Sequence, residues 1–190
     1  MSSRWIVVLC LIFIWGGGEI MVGHAQSSPE ILKIVPVPSK IEFSNIDKVV
    51  ENAEIVKEYL KPGDVWVTKT PAGEVLIKGA LIYQDNVVGV VEFNPVDGQI
   101  LPQGYHPRYV TELKVPLDEI RQRLNQLISQ FKIVKAVEYR ERESCWEVPL
   151  MYNNMIVSHI RIYYDGVHVL PDYPASEEMR SYSASHRESN

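Results

Sequence analysis

Two stretches of equal length decide the architecture: residues 81–102, LIYQDNVVGVVEFNPVDGQILP, and residues 150–171, LMYNNMIVSHIRIYYDGVHVLP. Leu81-Ile82-Tyr83 answers to Leu150-Met151-Tyr152, each followed by a polar turn. Val87-Val88 answers to Ile156-Val157, Asp97-Gly98 to Asp165-Gly166, and Leu101-Pro102 to Leu170-Pro171. The offset is 69 residues at the first and last of these and 68 at the Asp-Gly pair, which a one-residue slip in a turn explains. Both stretches are short apolar runs separated by turn residues, the signature of antiparallel strands. Asp165-Gly166 between Tyr164 and Val167 has the composition of a type I′ hairpin.

Upstream of each stretch lies a helix-period segment. Ile46, Val49, Val50, Ala53, Val56, Tyr59 and Leu60 recur at three- and four-residue steps after a cap expected at Ser44, and Pro62-Gly63 stops the run. Leu117, Ile120, Leu124, Leu127, Ile128 and Phe131 form a cleaner stripe, begun by Pro116 with Asp118 and Glu119 in its first turn. Strand-like runs follow each helix: Val65–Val67, Glu74–Tyr83, Val87–Phe93 and Ile100–Leu101 in the first half. In the second they are Ile133–Arg142, Cys145–Tyr152, Met155–Tyr163 and Val167–Leu170. The expected fold class is therefore α+β, as two tandem repeats, each one helix packed on a three- to four-stranded antiparallel sheet. The expected units are residues 44–103 and 115–173, joined by a linker over 104–114. Chance likeness between two β meanders is the alternative, and the shared helix-first order argues against it. Units this small are marginal alone, so the two should pack together.

The ends have their own character. Arg4, the apolar run Trp5–Trp15, Gly16-Gly17-Gly18 and the small residues of Gly23-His24-Ala25 follow the three-part pattern of a secretory signal peptide over residues 1–25. Cleavage is expected between Ala25 and Gln26; an uncleaved anchor extended through Ile20-Met21-Val22 is the alternative. Residues 26–43 form an extended, proline-bearing lead, and the polar tail over 174–190 is expected to be disordered.

An exported unit of one helix followed by an antiparallel sheet with a D-G closing hairpin resembles the PepSY domain. Leu117–Phe131 corresponds to the family helix, Trp146-Glu147-Val148 resembles its aromatic-x-Val strand, and Ile160–Val169 its closing hairpin. In the first unit Val87–Leu101 resembles the typical ending. The resemblance covers roughly residues 44–102 and 115–173; Pro149 inside a strand and the shorter second hairpin depart from the pattern. It implies an exported, non-enzymatic protein with a protein partner, for which a peptidase is one candidate, and a role in inhibiting or regulating peptidases is proposed for the family.

Composition narrows the function. A net charge of -5, from 19 Lys+Arg against 24 Asp+Glu, disfavours a nucleic-acid partner, which calls for a basic face. Of two cysteines, Cys10 leaves with the leader and Cys145 remains alone, read as a small half-buried strand residue. No zinc, calcium, P-loop, dinucleotide or nucleophile-elbow pattern is present, so no catalytic residue, cofactor or metal is assigned. Asp97 and Asp165 precede glycines in turns, where aspartate caps the backbone.

One candidate surface stands out. Pivoting the last hairpin on Asp165-Gly166 sets Tyr163 opposite His168 and Ile162 opposite Val169. Alternation then puts His159, Arg161, Tyr163 and His168 on one face and Ile160, Ile162, Tyr164, Val167 and Val169 on the other. The first set is the candidate partner-binding face, against the plainer reading of an ordinary solvent face. Membrane contact is expected only through the N-terminal segment if it stays uncleaved, and a structural or assembly role in the cell envelope is then the alternative function.

Overall fold

Why these segments take their forms is visible in their buried residues. The structure, a computed structural model, describes residues 45–187. The expected signal peptide, the expected extended lead and the expected Ser44 cap lie outside the described residues. Helix α1 (Ile46–Glu58) buries Val49, Ala53 and Val56, with Asp47 in its first turn and Lys57 in its last, both favoured by the helix dipole. Helix α2 (Leu117–Ile128) buries Ile120, Leu124, Leu127 and Ile128 and follows Pro116. Between them run β1 (Lys61–Lys69), β2 (Val75–Tyr83) and β3 (Asn86–Phe93), an antiparallel sheet in that order. After α2 come β4 (Lys132–Ile133), β5 (Glu138–Arg140), β6 (Cys145–Tyr152) and β7 (Met155–Tyr163), with β6 pairing the other three. The protein is thus α+β with two antiparallel sheets. Among the described residues no helix is long and apolar enough to cross a membrane.

Several local expectations shift. Pro62-Gly63 lies inside β1, next to a bulge, rather than ending the helix. The single strand expected over Ile133–Arg142 is broken into β4, β5 and a 3-10 turn at Glu141–Glu143. The left-handed two-residue turns sit at Gln84-Asp85 (φ 47° and 62°) and Asn153-Asn154 (φ 46° and 61°), the conformation a type I′ hairpin demands. At Asp165-Gly166 only the glycine is left-handed (φ 72°), so that turn is not type I′. There the Asp165 carboxylate accepts the Val167 and His168 N–H groups at 2.8 and 3.1 Å, the capping role the sequence suggested.

One register recurs. Ile77 pairs Phe93, Lys78 pairs Glu92, Gly79 pairs Val91 and Leu81 pairs Gly89, with a bulge before Ile82↔Val87. Each of those pairs recurs 69 residues on: Trp146↔Ile162, Glu147↔Arg161, Val148↔Ile160, Leu150↔Ser158, and a bulge before Met151↔Ile156. The closing bridges Phe93↔Ile100 and Ile162↔Val169 keep the same spacing, and the second is the register expected from the sequence.

The helices do not lie where the repeat reading put them. Helix α2 packs across β1 and β2, and α1 packs against β4, β6 and β7. Each helix therefore covers the sheet of the other half. Arg123 of α2 donates to the Asp97 and Gly98 carbonyls at 3.2 and 2.6 Å. Asn52 of α1 donates to the Gly166 and Val167 carbonyls at 3.4 and 2.5 Å. The exchange pools both stripes into one core that runs from Val49 through Phe93 and Leu124 to Ile162. Periodicity reveals which face a helix buries; it is silent on the surface that receives it.

The sheets meet along β3 and β7. Gln103 N–H bonds the Ile156 carbonyl at 2.8 Å, and Asp172 N–H bonds the Val87 carbonyl at 2.7 Å, the same contact seen from either side. At the closest approach a Cβ on Gly89 would stand 2.9 Å from Ser158 Oγ and 3.2 Å from the His159 carbonyl, so a larger residue would push the seam apart. Each edge strand thus shields the other from foreign pairing.

Most of the tail expected to be disordered is helical, despite its polar composition, as far as residue 187. Helix α3 (Tyr173–Arg187) starts at Asp172, whose carboxylate accepts the Ala175 N–H at 3.1 Å. Ala175, Met179 and Tyr182, at helical spacing, close over Trp66, Ala80 and Val87 on the outer face of the first sheet.

Candidate functional site

The strand register brings charged side chains of both halves to the seam. Lys78 and Glu92 are opposite neighbours on β2 and β3; Glu147 and Arg161 are opposite neighbours on β6 and β7, with the signs reversed. These four line a cleft of about 460 Å³, together with His106, His159, Asp172 and Glu178. The start of α3 forms one wall and the segment through Gln103 and Gly104 another.

Ion pairs tie the lining down. Lys78 Nζ reaches Glu178 at 2.7 Å, and the Trp66 indole N–H donates to the same carboxylate oxygen at 3.4 Å. Arg161 pairs with Asp172 at 3.3 Å and with Glu143 at 3.5 Å. Arg140 donates to Glu147 at 2.9 Å and pairs with Glu138 at 3.1 Å. His106 Nδ1 stands 3.7 Å from Glu92 Oε2, too far for a hydrogen bond. Burial holds the His159 imidazole below its ordinary pKa, against the opposing pull of the Glu147 carboxylate. A neutral imidazole in such a cleft can donate and accept at once.

The four residues of the candidate face divide. His159 and Arg161 line the cleft; Tyr163 and His168 do not. Tyr163 meets the Tyr164 ring at a tilt of 55°, with 4.4 Å between centroids. His168 is 77% exposed at its side chain, is held by Asp165, and borders a separate depression with Asn52 and Tyr83. Partial burial works to raise the Asp165 carboxyl, but the Val167 N–H, the His168 ring and the His168 N–H outweigh it and hold its pKa below the usual range. Sequence reasoning missed Lys78, Glu92, His106, Glu147, Asp172 and Glu178. The signal for three of these was present: the 69-residue offset carries Lys78 onto Glu147 and Glu92 onto Arg161, already chosen.

Cys145 is fully buried, deeper than the half-buried position expected, and burial first, then the Glu143 carboxylate, push its thiol up to about 11. A thiol so protonated is a poor nucleophile. Among the described residues no group of three His, Cys, Asp or Glu side chains is placed to hold a metal ion. What the cleft offers is a fixed array of alternating charge, suited to recognising charged side chains.

Comparison of the chain with models of known families, with curated proteins and with solved structures finds no match.

Proposed function

We propose that this chain is an exported, non-catalytic binding or regulatory protein of PepSY type, made of two copies of one unit, whose partner is another protein, a peptidase or another component of the envelope. The observation that carries the binding reading is the seam cleft, where paired charges line a floor built from two interlocked sheets. Preorganised polar groups on rigid strands favour recognition, because little ordering cost is left for the encounter. The buried, protonated Cys145 thiol supports the non-catalytic part. The common register of β2–β3 and β6–β7, and the reciprocal bonds of Asn52 and Arg123, support the two-copy part.

The test is a crosslinked pull-down with the chain from Gln26 onward as bait, scored for peptidases, alongside inhibition of a thermolysin-like enzyme. Capture that is lost on Arg161→Glu at the cleft would bear the reading out. Capture of no protein, together with no inhibition, would remove it.

A further inference from the structure

The two sheets are finished differently on their outer faces. On the first, α3 seats Ala175, Met179 and Tyr182 over Trp66, Ala80, Ile82, Val87 and Val90, and Glu178 bonds Lys78 and Trp66. The register gives each receiving position a mate on the second sheet. Ala80, Ile82, Val87 and Val90 correspond to Pro149, Met151, Ile156 and His159. Lys78 corresponds to Glu147, and Trp66, which pairs with Lys78, corresponds to Glu138, which pairs with Glu147. The start of α3 borders this second face only at the cleft, and among the described residues no helix lies along it; α1 packs on the core side. Ile156 is 42% exposed, and Pro149, Met151 and His159 are half-buried.

We infer that the outer face of the second sheet is a docking site for an amphipathic helix of the partner protein, one that carries a lysine or arginine where α3 carries Glu178. Charge decides the occupant. Where Glu178 meets a lysine and an indole N–H, the visitor meets two carboxylates. Arg140 pairs with both Glu138 and Glu147, so two carboxylates share one guanidinium there. Arg161 is already held by Asp172 and Glu143. The apolar part of the visiting helix has the spacing of Ala175, Met179 and Tyr182, and its contact with Ile156 continues the seam that Gln103 N–H makes with the same residue.

The inference rests on the binding reading for its premise that the cleft and its surroundings meet a protein. A captured partner that docks without such a helix would leave that reading standing and remove this one.

The probe is a fluorescein-labelled peptide of residues 172–185 carrying Glu178→Lys, titrated with the full chain and read by anisotropy. It is expected to bind about fivefold more tightly than the unmodified peptide, the scale of one exposed ion pair. Ile156→Asp, at an exposed position that should not disturb folding, is expected to weaken it at least tenfold. Glu147→Lys in the chain should reverse the preference between the two peptides. Equal binding of both peptides, no binding of either, or unchanged affinity in the Ile156→Asp chain would overturn the assignment.

Discussion

If α2 lies on the sheet of the other half, Leu124 and Gly79 must be energetically coupled. Leu124 is fully buried, and a Cβ built on Gly79 would stand 3.0 Å from Leu124 Cδ2 and 3.2 Å from Phe93 Cε2. Leu124→Ala alone removes a buried isopropyl group and should cost about 3 kcal/mol. Gly79→Ala alone forces a methyl into two contacts tighter than van der Waals distance. Overpacking of that kind costs about 1–3 kcal/mol, offset by about 0.5 kcal/mol of lost chain entropy in the unfolded state, so a net loss of about 1 kcal/mol is expected. In the double variant the methyl enters space vacated by Leu124, and only the Phe93 contact persists. The double variant should then lose about 3 kcal/mol where additivity gives about 4, a coupling of about 1 kcal/mol. Urea denaturation followed by circular dichroism, with the slope unchanged across the four proteins, measures all the corners of the cycle. A control cycle of Gly79→Ala with Val49→Ala, on α1 beside Gly166, should add simply. Additivity of the Leu124–Gly79 pair within about 0.5 kcal/mol would refute the exchange of helices.

Three further outcomes are expected. Asn52→Ala removes the bonds to the Gly166 and Val167 carbonyls and should cost about 1 kcal/mol of stability in urea denaturation, whereas no change would deny that α1 fastens the far hairpin. Cys145, buried and with its thiol raised to about 11, should resist iodoacetamide at pH 8 in the folded chain and react once urea unfolds it; prompt native-state labelling would contradict its placement. Burial lowers the His159 pKa below its ordinary 6.5, so the unfolded chain binds the proton first: the contribution is fully present above about pH 6.5 and is lost as pH falls. His159→Gln should flatten that acid-side decline in stability; an unaltered pH profile would show that His159 is not desolvated.

Much of the fold was legible because it rests on local chemistry. Apolar spacing marked α1 and α2, alternation marked β2, β3, β6 and β7, and the Ile162↔Val169 bridge followed from where the Asp165-Gly166 turn falls. What escaped was set by tertiary contacts. Pro62-Gly63 reads as a helix stop, yet Pro62 pairs with Leu81 at the edge of a sheet, where a missing N–H costs no ladder bond. The tail carries only Ala175, Met179 and Tyr182 as an apolar stripe, too little to announce a helix until Trp66 and Val87 are there to receive it. Asp172 as a cap three residues before Ala175 was the one local clue. The candidate site was legible by half: alternation placed His159 and Arg161 together, while Lys78 and Glu92 arrive from the other half across the β3–β7 seam, which no local pattern describes.

The same register on two sheets, finished in opposite chemistry, separates the surface that holds the fold from the surface left open. Exchange of α1 and α2 fills the inner faces of both sheets from one pooled core, so neither outer face is needed to hold the fold's centre. The first outer face, apolar at Trp66, Ala80 and Val87, is then spent on the chain's own α3. The second replaces those positions with Glu138, Pro149 and Ile156 and keeps its charge in ion pairs with Arg140, a surface that tolerates water. A face that served only to be wetted would not keep Met151 and Ile156 beside Pro149 on one strand pair, since exposed apolar residues grouped together are costly unless something covers them. Polar enough to be wetted when empty and apolar enough to gain by contact, it has the mixed composition that the proposed docking of a helix calls for.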